Sequence, residues 1–294
     1  MKKLLIYMLI SVLCLGICGC LDTNEHKQIV ATTLPVYEFT MRICQGTELA
    51  VSRLITENIS CLHDYTLQTR HMRMLESATL ILSTGTETDI FLNDICLDDK
   101  KLVDTSAGVP LLHCENTSEH AHDDHRHNDE YDHHIWLSPA NAKIMAKNIC
   151  HALCEQYPQH KKTFEQNFNG LTSDLHALEV YGNETLKPLT ERKLITFHDG
   201  FTYLADAFDL QILKAIEEES GSEASAGELI ALIQLISSES INAIFTERNG
   251  SDASAQIIAG ETDATIFQLD MAMSGDSYFD AMYTNINTLK EALE

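Results

Sequence analysis

Basic residues are scarce in this chain of 294 residues: 20 lysines and arginines stand against 44 aspartates and glutamates, a formal net charge of −24. Nucleic-acid phosphates demand basic surface, so that class of partner is excluded. Long apolar runs are also missing beyond the first 20 residues, so nothing after them is expected to cross a bilayer. No CxxC pair occurs among the nine cysteines, which argues against a zinc site built from four thiolates. There is no HExxH, GxSxG elbow, Walker loop or GxGxxG fingerprint. With them go familiar signatures of zinc and serine hydrolases, NTPases and dinucleotide enzymes. An acidic surface instead suits an exported, soluble protein that attracts cations.

The apolar run that does exist lies at the start. Lys2 and Lys3 form a basic n-region and Leu4 to Ile17 an apolar h-region of signal-peptide length, too short and too quickly followed by polar sequence for a transmembrane span. Its end, LGICGC, resembles a bacterial lipobox, with small Gly19 before Cys20, whereas bulky Leu13 and Ile17 precede Cys14 and Cys18. Residues 1–20 are therefore expected to be a lipoprotein signal, with Cys20 the lipidated first residue of the mature chain and its only membrane anchor. An ordinary cleaved signal with a free Cys20 is the alternative. Six cysteines follow: Cys44, Cys61, Cys96, Cys114, Cys150 and Cys154. An exported location permits disulfides, but Cys150 and Cys154, four apart on one helix face, would bridge awkwardly. Most of the six read as buried small apolar residues. Cys61 and Cys114 lie near the metal-binding sequence described next.

Half of the fourteen histidines fall in one acidic stretch, HCENTSEHAHDDHRHNDEYDHH, from His113 to His134. Imidazole beside carboxylate suits a divalent transition metal, zinc first among them. His113, His120, His122, His125, His127 and His133 read as an auxiliary metal-collecting loop. The plainer reading is a polar loop that happens to be histidine-rich.

Along the chain, short β-rich runs alternate with helical ones. QIVATT, ELAVSRLI, ATLILSTG and KLVDTS read as strands, with helices over Leu34 to Cys44, Gln68 to Ser77 and Glu87 to Cys96. Ser138 caps a helix with Pro139 in its first turn, running to about Gln156. A second long helix covers about His160 to Lys187, its pattern tolerating Gly170 and Gly182. RKLITFH, LQILKAIE, INAIFTE and ATIFQLD then read as strands, with helices at Phe201 to Phe208, Ala226 to Ser237, Asp252 to Glu261 and Ser277 to Leu293. Strands alternating with helices imply parallel sheets and right-handed crossovers. The expected fold is α/β: two four-stranded parallel-sheet lobes, residues 28–157 and 189–294, joined by a long bridging helix over 158–188.

Open parallel sheets bind ligands beyond the carboxyl ends of their strands. His63 follows the second strand, His134 ends the loop after the fourth, His198 ends the first strand of the second set and Asp270 ends its fourth. All four can meet in an interlobe cleft, and three imidazoles with a carboxylate are a reasonable ligand set for zinc. Asp64 and Asp199 each follow a candidate histidine and are placed to orient an imidazole. Asp199 could equally cap the helix that starts near Gly200. His26, His71, His151, His160 and His176 have no partner pattern and are expected to face solvent.

At these residues the chain resembles the cluster A-I solute-binding lipoproteins of bacterial zinc and manganese ABC importers, the ZnuA-like proteins. The motifs LHDYTL, the histidine-rich loop, HIWLSPANA, TFHDGFTYLADAF, FTER and the LD ending at Asp270 occur in the family's order through nearly the whole mature chain. The resemblance implies two lobes bridged by a rigid helix and metal ligation by His63, His134, His198 and Asp270. It also implies small local rearrangements rather than wide hinge closure. Manganese-preferring members typically carry glutamate where His198 stands, and zinc-preferring members histidine, which favours zinc. The chain differs from the family pattern at Leu62 and Arg248, where proline is common, and in DMAMSGDSY after Asp270. Glu247 is expected to line the cleft or support the fold rather than to ligate.

The function this implies is capture of Zn2+ outside the cytoplasm and delivery to a membrane permease, by a monomer lipid-anchored to the cell membrane or held in a periplasm. Such ligands bind metal deprotonated, so affinity is expected to fall below about pH 6.5. The alternatives are a manganese-binding member of the same family and a metal-buffering adhesin. A secreted zinc hydrolase is the rival from another class. It needs an open metal position and a nearby base, a role in which Glu247 or Asp199 can be imagined, but a closed set of three histidines and an aspartate leaves no obvious room for activated water.

Overall fold

The structure is a computed structural model, which describes residues 28–59, 62, 65–93, 95, 101–113, 131–217 and 224–294. The expected signal with Cys20, His26, Cys61, His63, Asp64, Cys96 and the segment 114–130, with Cys114, His120, His122, His125 and His127, lie outside the described residues.

Four short strands, β1 (Gln28–Ala31), β2 (Ala50–Arg53), β3 (Leu80–Ser83) and β4 (Leu102–Asp104), form one parallel sheet in the order β2-β1-β3-β4. The central β3, LILS, is buried at every position, as a parallel strand covered on both faces requires. Helix α1 (Leu34–Cys44) starts with Pro35 in its first turn, where the missing N–H costs nothing. Helix α2 (Thr69–Ser77) follows a capping box between Gln68 and His71.

That box corrects one expectation. His71 is buried, not solvent-facing: its Nδ1 accepts from the Gln68 backbone N–H at 3.0 Å and its ring lies against Tyr65. Burial lowers the pKa of the ring, so the neutral form that can accept this hydrogen bond is the one favoured. His160 likewise packs on Phe164 with Nε2 3.0 Å from Glu48, while His151 and His176 are exposed. A second correction concerns the helix expected over Glu87 to Cys96, whose described residues form a single 3-10 turn, Ile90–Leu92. Gly85, Thr86 and Glu87 all take left-handed φ angles (88°, 51° and 56°), which turns the chain instead of starting an α-helix.

Helix α3 (Pro139–Gln156) begins at Ser138, whose hydroxyl accepts from the Asn141 N–H. Helix α4 (Lys161–Leu186), 26 residues long, spans about 39 Å at 1.5 Å per residue. Phe164, Leu171, Leu175, Leu178 and Leu186 bury one stripe of it against α1, α3 and the C-terminal helix. Gly182 completes the stripe because a Cβ there would lie 2.2 Å from the Phe208 ring.

After α4 the first pattern recurs. Strands β5 (Lys193–His198), β6 (Gln211–Glu217), β7 (Ala243–Glu247) and β8 (Thr265–Leu269) form a second parallel sheet in the order β6-β5-β7-β8. Helices α5 (Thr202–Ala207), α6 (Ala226–Glu239), α7 (Ala253–Glu261) and α8 (Tyr278–Leu293) connect and flank it. Each sheet reverses strand order between its first and third strands, so each has a switch point, at β1/β3 and at β5/β7.

The two lobes are fastened directly as well as through α4. Trp136 Nε1 donates to the Met271 carbonyl at 2.7 Å, and the Tyr278 hydroxyl donates to the Trp136 carbonyl at 2.8 Å. The Tyr278 N–H donates to Glu38 at 2.6 Å and Arg53 to the Gly275 carbonyl at 2.7 Å. One continuous apolar core runs from β1 through Trp136 and α4 to Met271 and α8. Cys44 and Cys150 are free thiols buried in it, and burial pushes each to about 12, in keeping with a packing role. Among the described residues no helix is long and apolar enough to cross a membrane.

Candidate metal site

The carboxyl end of β5 delivers His198, and the loop after β4 returns through Tyr131 to deliver His134 at the start of a 3-10 turn, Ile135–Leu137. The two imidazoles come from different lobes and meet between them, with Nε2 atoms 3.5 Å apart and ring planes at 83°. Both side chains are nearly inaccessible to solvent. His134 also stands edge-on to Trp136, the residue that ties the lobes together.

Each ring has its other nitrogen against a buried carboxylate. His134 Nδ1 lies 2.8 Å from Asp132 Oδ1, which also accepts the His134 backbone N–H at 2.8 Å. His198 Nδ1 lies 3.1 Å from Glu247 Oε1, at the end of the neighbouring strand β7 across the switch point. Burial alone would raise Asp132, but the charge and hydrogen bonds of His134 hold it below the usual carboxylate range. A carboxylate at Nδ1 favours the proton there and leaves the Nε2 lone pair free to bind. Two such Nε2 atoms facing each other are suited to a shared cation. Two nitrogens on a tetrahedral zinc at 2.0–2.1 Å sit about 3.3–3.4 Å apart, close to the spacing here.

Asp270 follows β8 and is held tightly. Its backbone N–H donates to Asn285 Oδ1 and its carbonyl accepts from Asn285 Nδ2, both at 2.7 Å. Oδ1 accepts from the Ala272 N–H at 2.8 Å, and Oδ2 lies 3.1 Å from Arg248 Nη1. Gly200 links Asp270's neighbour to the imidazoles: a Cβ on it would lie 2.6 Å from His198 Cδ2 and 2.7 Å from Met271 Cε. Among the described residues no group of three or more His, Cys, Asp or Glu side chains converges closely enough to hold an ion. The structure thus brings together His134 and His198 of the four candidates, places Asp270 beside Met271 and Arg248, and leaves His63 outside the described residues.

The loop histidines divide. His113 pairs with Tyr131 in an isolated antiparallel bridge, their rings 4.5 Å apart, closing the base of the histidine-rich tract. His133 is buried; its carbonyl accepts from the hydroxyls of Thr86 and Thr88 at 3.1 and 3.2 Å, and its Nε2 lies 3.9 Å from Glu87. Those threonines follow the left-handed turn at Gly85, which gives that turn a purpose: it pins the backbone just before His134.

Two residues at the site were not anticipated as orienters, Asp132 and Glu247. The D-x-H spacing of Asp132 and His134 was a readable signal, since the backbone N–H and ring of one residue reach a single carboxylate. Glu247 was expected to line the cleft or support the fold, but it is distant in sequence from His198 and nothing local pairs the two. Asp199 lines a cavity of about 390 Å³ beside β6, with His113, Thr202 and Asp206.

Comparison with known proteins places this geometry in context. Residues 29–292 match the family described as zinc-uptake complex component A, periplasmic. The chain is 26% identical to a putative metal-binding protein of Treponema pallidum over 280 residues, 92% of this chain and 88% of that protein. It is 27% identical to the zinc-binding lipoprotein AdcA of Streptococcus pneumoniae over 312 residues, an alignment covering 100% of this chain and 62% of AdcA. Among solved structures, the Zn(II)-bound ZnuA-like domain of Streptococcus pneumoniae AdcA superposes with a TM-score of 0.73 at 27% identity, covering 90% of this chain and 98% of that domain.

Proposed function

Because this chain belongs to the zinc-uptake complex component A family, a family of metal-binding transport components and not of enzymes, we propose that it captures Zn2+ outside the cytoplasm and delivers it to the permease of an ABC importer. One observation carries the reading: two buried imidazoles from opposite lobes present Nε2 atoms 3.5 Å apart, each with Nδ1 against a carboxylate. Zinc is the cargo. His63, His134, His198 and Asp270 are the ligands, with Asp132 and Glu247 holding the two described imidazoles in the binding tautomer. Nitrogen-rich donor sets favour zinc over manganese. The relatives' names support the same choice, since AdcA is described as zinc-binding.

The direct bonds between lobes, Trp136 to Met271 and Tyr278 to Trp136, support a site that releases metal by local rearrangement. Cys20 anchors the mature monomer to the membrane and residues 113–134 form an auxiliary collecting loop. Residues 28–157 and 189–294 are the two lobes on either side of the bridge at 158–188.

The experiment is a competitive zinc and manganese titration of the chain from Leu21, with and without residues 114–130, a deletion that spares Asp132 and His133 beside the site. One tight zinc site that survives loop deletion and is lost in His134→Ala and His198→Ala establishes the capture protein. Tight manganese with weak zinc overturns the specificity. Loss of all tight binding with the loop alone overturns the interlobe site in favour of a metal buffer.

A further inference from the structure

Glu247 and Arg248 are adjacent, yet they serve different candidate ligands. Glu247, the last residue of β7, is buried against His198. Arg248 turns outward, its side chain 63% exposed, and reaches Asp270, whose side chain is 12% exposed. Successive side chains at a strand end point to opposite faces, which is how one dipeptide meets both residues.

The carboxylate of Asp270 has no slack of its own. Asn285 grips its backbone from both sides, and Arg248 N–H bonds to the Leu269 carbonyl at 2.9 Å, fixing the two strand ends together. Oδ1 is committed to the Ala272 N–H, in a turn that Ala272 makes with φ at 52°. Among the described residues, Oδ2 meets the long, largely solvated side chain of Arg248. Of the described contacts that hold Asp270, the guanidinium can therefore leave most cheaply, since its own side chain is already largely in water.

We propose that Arg248 is a placeholder cation: it neutralises Asp270 until metal arrives, is displaced by the incoming dication, and returns to help expel it. This rests on the metal-capture reading above, with Asp270 as a ligand. A fixed positive charge beside a dication site weakens binding, and a side chain able to reclaim the ligand speeds release. The effect is small because the guanidinium is largely solvated and its charge is screened by salt.

The test uses the chain from Leu21, with competitive zinc titration, zinc release by stopped flow and melting with and without zinc. Arg248→Gln is expected to bind zinc about two- to five-fold more tightly, the range a salt-screened pair with a solvated guanidinium supports, through slower release. Arg248→Lys, which keeps the charge, should restore affinity to within about two-fold of the parent, as the same weak-pair arithmetic requires. The zinc-free Arg248→Gln protein should melt lower and gain more from zinc, a combination that a purely structural arginine would not give. In an Asp270→Asn background the gain from Arg248→Gln should vanish, because the two residues act on one interaction. Equal or weaker zinc binding by Arg248→Gln, or a gain that persists without Asp270, overturns the proposal. A parent with no tight site sensitive to His134→Ala would instead overturn the capture reading itself.

Discussion

His134 and His198 face each other through Nε2 atoms 3.5 Å apart, and Asp132 and Glu247 stand behind them at 2.8 and 3.1 Å from the respective Nδ1 atoms. The carboxylates should matter nearly as much as the rings. Replacing Asp132 by Asn or Glu247 by Gln keeps the shape but removes the charge that favours the Nδ1–H tautomer. Zinc affinity is expected to fall about 10- to 100-fold in each variant, the usual effect of removing such a partner. Competitive titration measures it, and far-UV circular dichroism should remain that of the parent. Parental affinity in Glu247→Gln would show that His198 is oriented by something else.

Gly200 offers a test of packing at the same ring. Its missing side chain is what allows His198 Nε2 and Met271 Cε to approach, since a Cβ would lie 2.8 and 2.7 Å from them. Gly200→Ala must push the imidazole or the methionine aside. The methionine end is flexible, but the ring is wedged between His134 and Glu247 and can move only by losing their alignment. We expect zinc affinity to drop by about ten-fold or more, with a stability loss within the roughly 1–3 kcal/mol typical of overpacking. An unchanged affinity would mean that the backbone at residue 200 shifts and leaves the imidazole in place.

Much of this architecture is legible in the sequence, and the reasons differ by element. Pro139 after Ser138 marks the start of α3 because the cap and the missing N–H act locally. Runs such as AIFTE and LILS mark strands because strands covered on both faces begin as short apolar runs, AIF and LIL, and turn polar only at their carboxyl ends. His134 and His198 are found by the rule that ligands gather beyond strand ends. What fails is whatever depends on long-range contact or unusual backbone. Nothing local says that Glu247 reaches His198 across a switch point, or that His71 turns inward to cap its own helix. The helix expected at Glu87 is lost to three left-handed residues, only one of them a glycine.

Asp89 gives a stability prediction with a definite sign. It is buried, its Oδ2 accepts from the Gly85 N–H at 3.0 Å, and burial, with Asp104 adding repulsion, pushes its pKa up to about 7. Between its unfolded value near 3.9 and about 7, the native protein therefore holds a proton that the unfolded chain has released. This group's contribution to stability is complete below the unfolded value and is lost as pH rises through about 7. Asp89→Asn cannot ionise and its carbonyl can still accept from Gly85. Relative to the parent it should gain stability at pH 8, on the order of a few kcal/mol at most, and gain little at about pH 4. Urea unfolding at both pH values decides it, and an equal gain at the two would remove ionisation as the cause.

The bridging helix makes one substitution act with opposite signs. Gly170 and Gly182 both lie inside α4, where glycine costs about 0.5–1 kcal/mol relative to alanine. Gly170 is exposed with nothing near its missing Cβ, so Gly170→Ala should stabilise by about that amount. At Gly182 the same Cβ would stand 2.2 and 2.5 Å from two carbons of the Phe208 ring, itself buried where the second lobe packs on the helix. Overpacking of roughly 1–3 kcal/mol then outweighs the propensity gain, and Gly182→Ala should destabilise. Because Phe208 follows α5, the helix after His198, the strain should also loosen the seat of the second lobe, lowering zinc affinity in Gly182→Ala and not in Gly170→Ala. Melting curves and zinc titration of the two variants together test whether α4 is a tight strut or a passive tether. A stabilised Gly182→Ala with parental zinc binding would make it the tether.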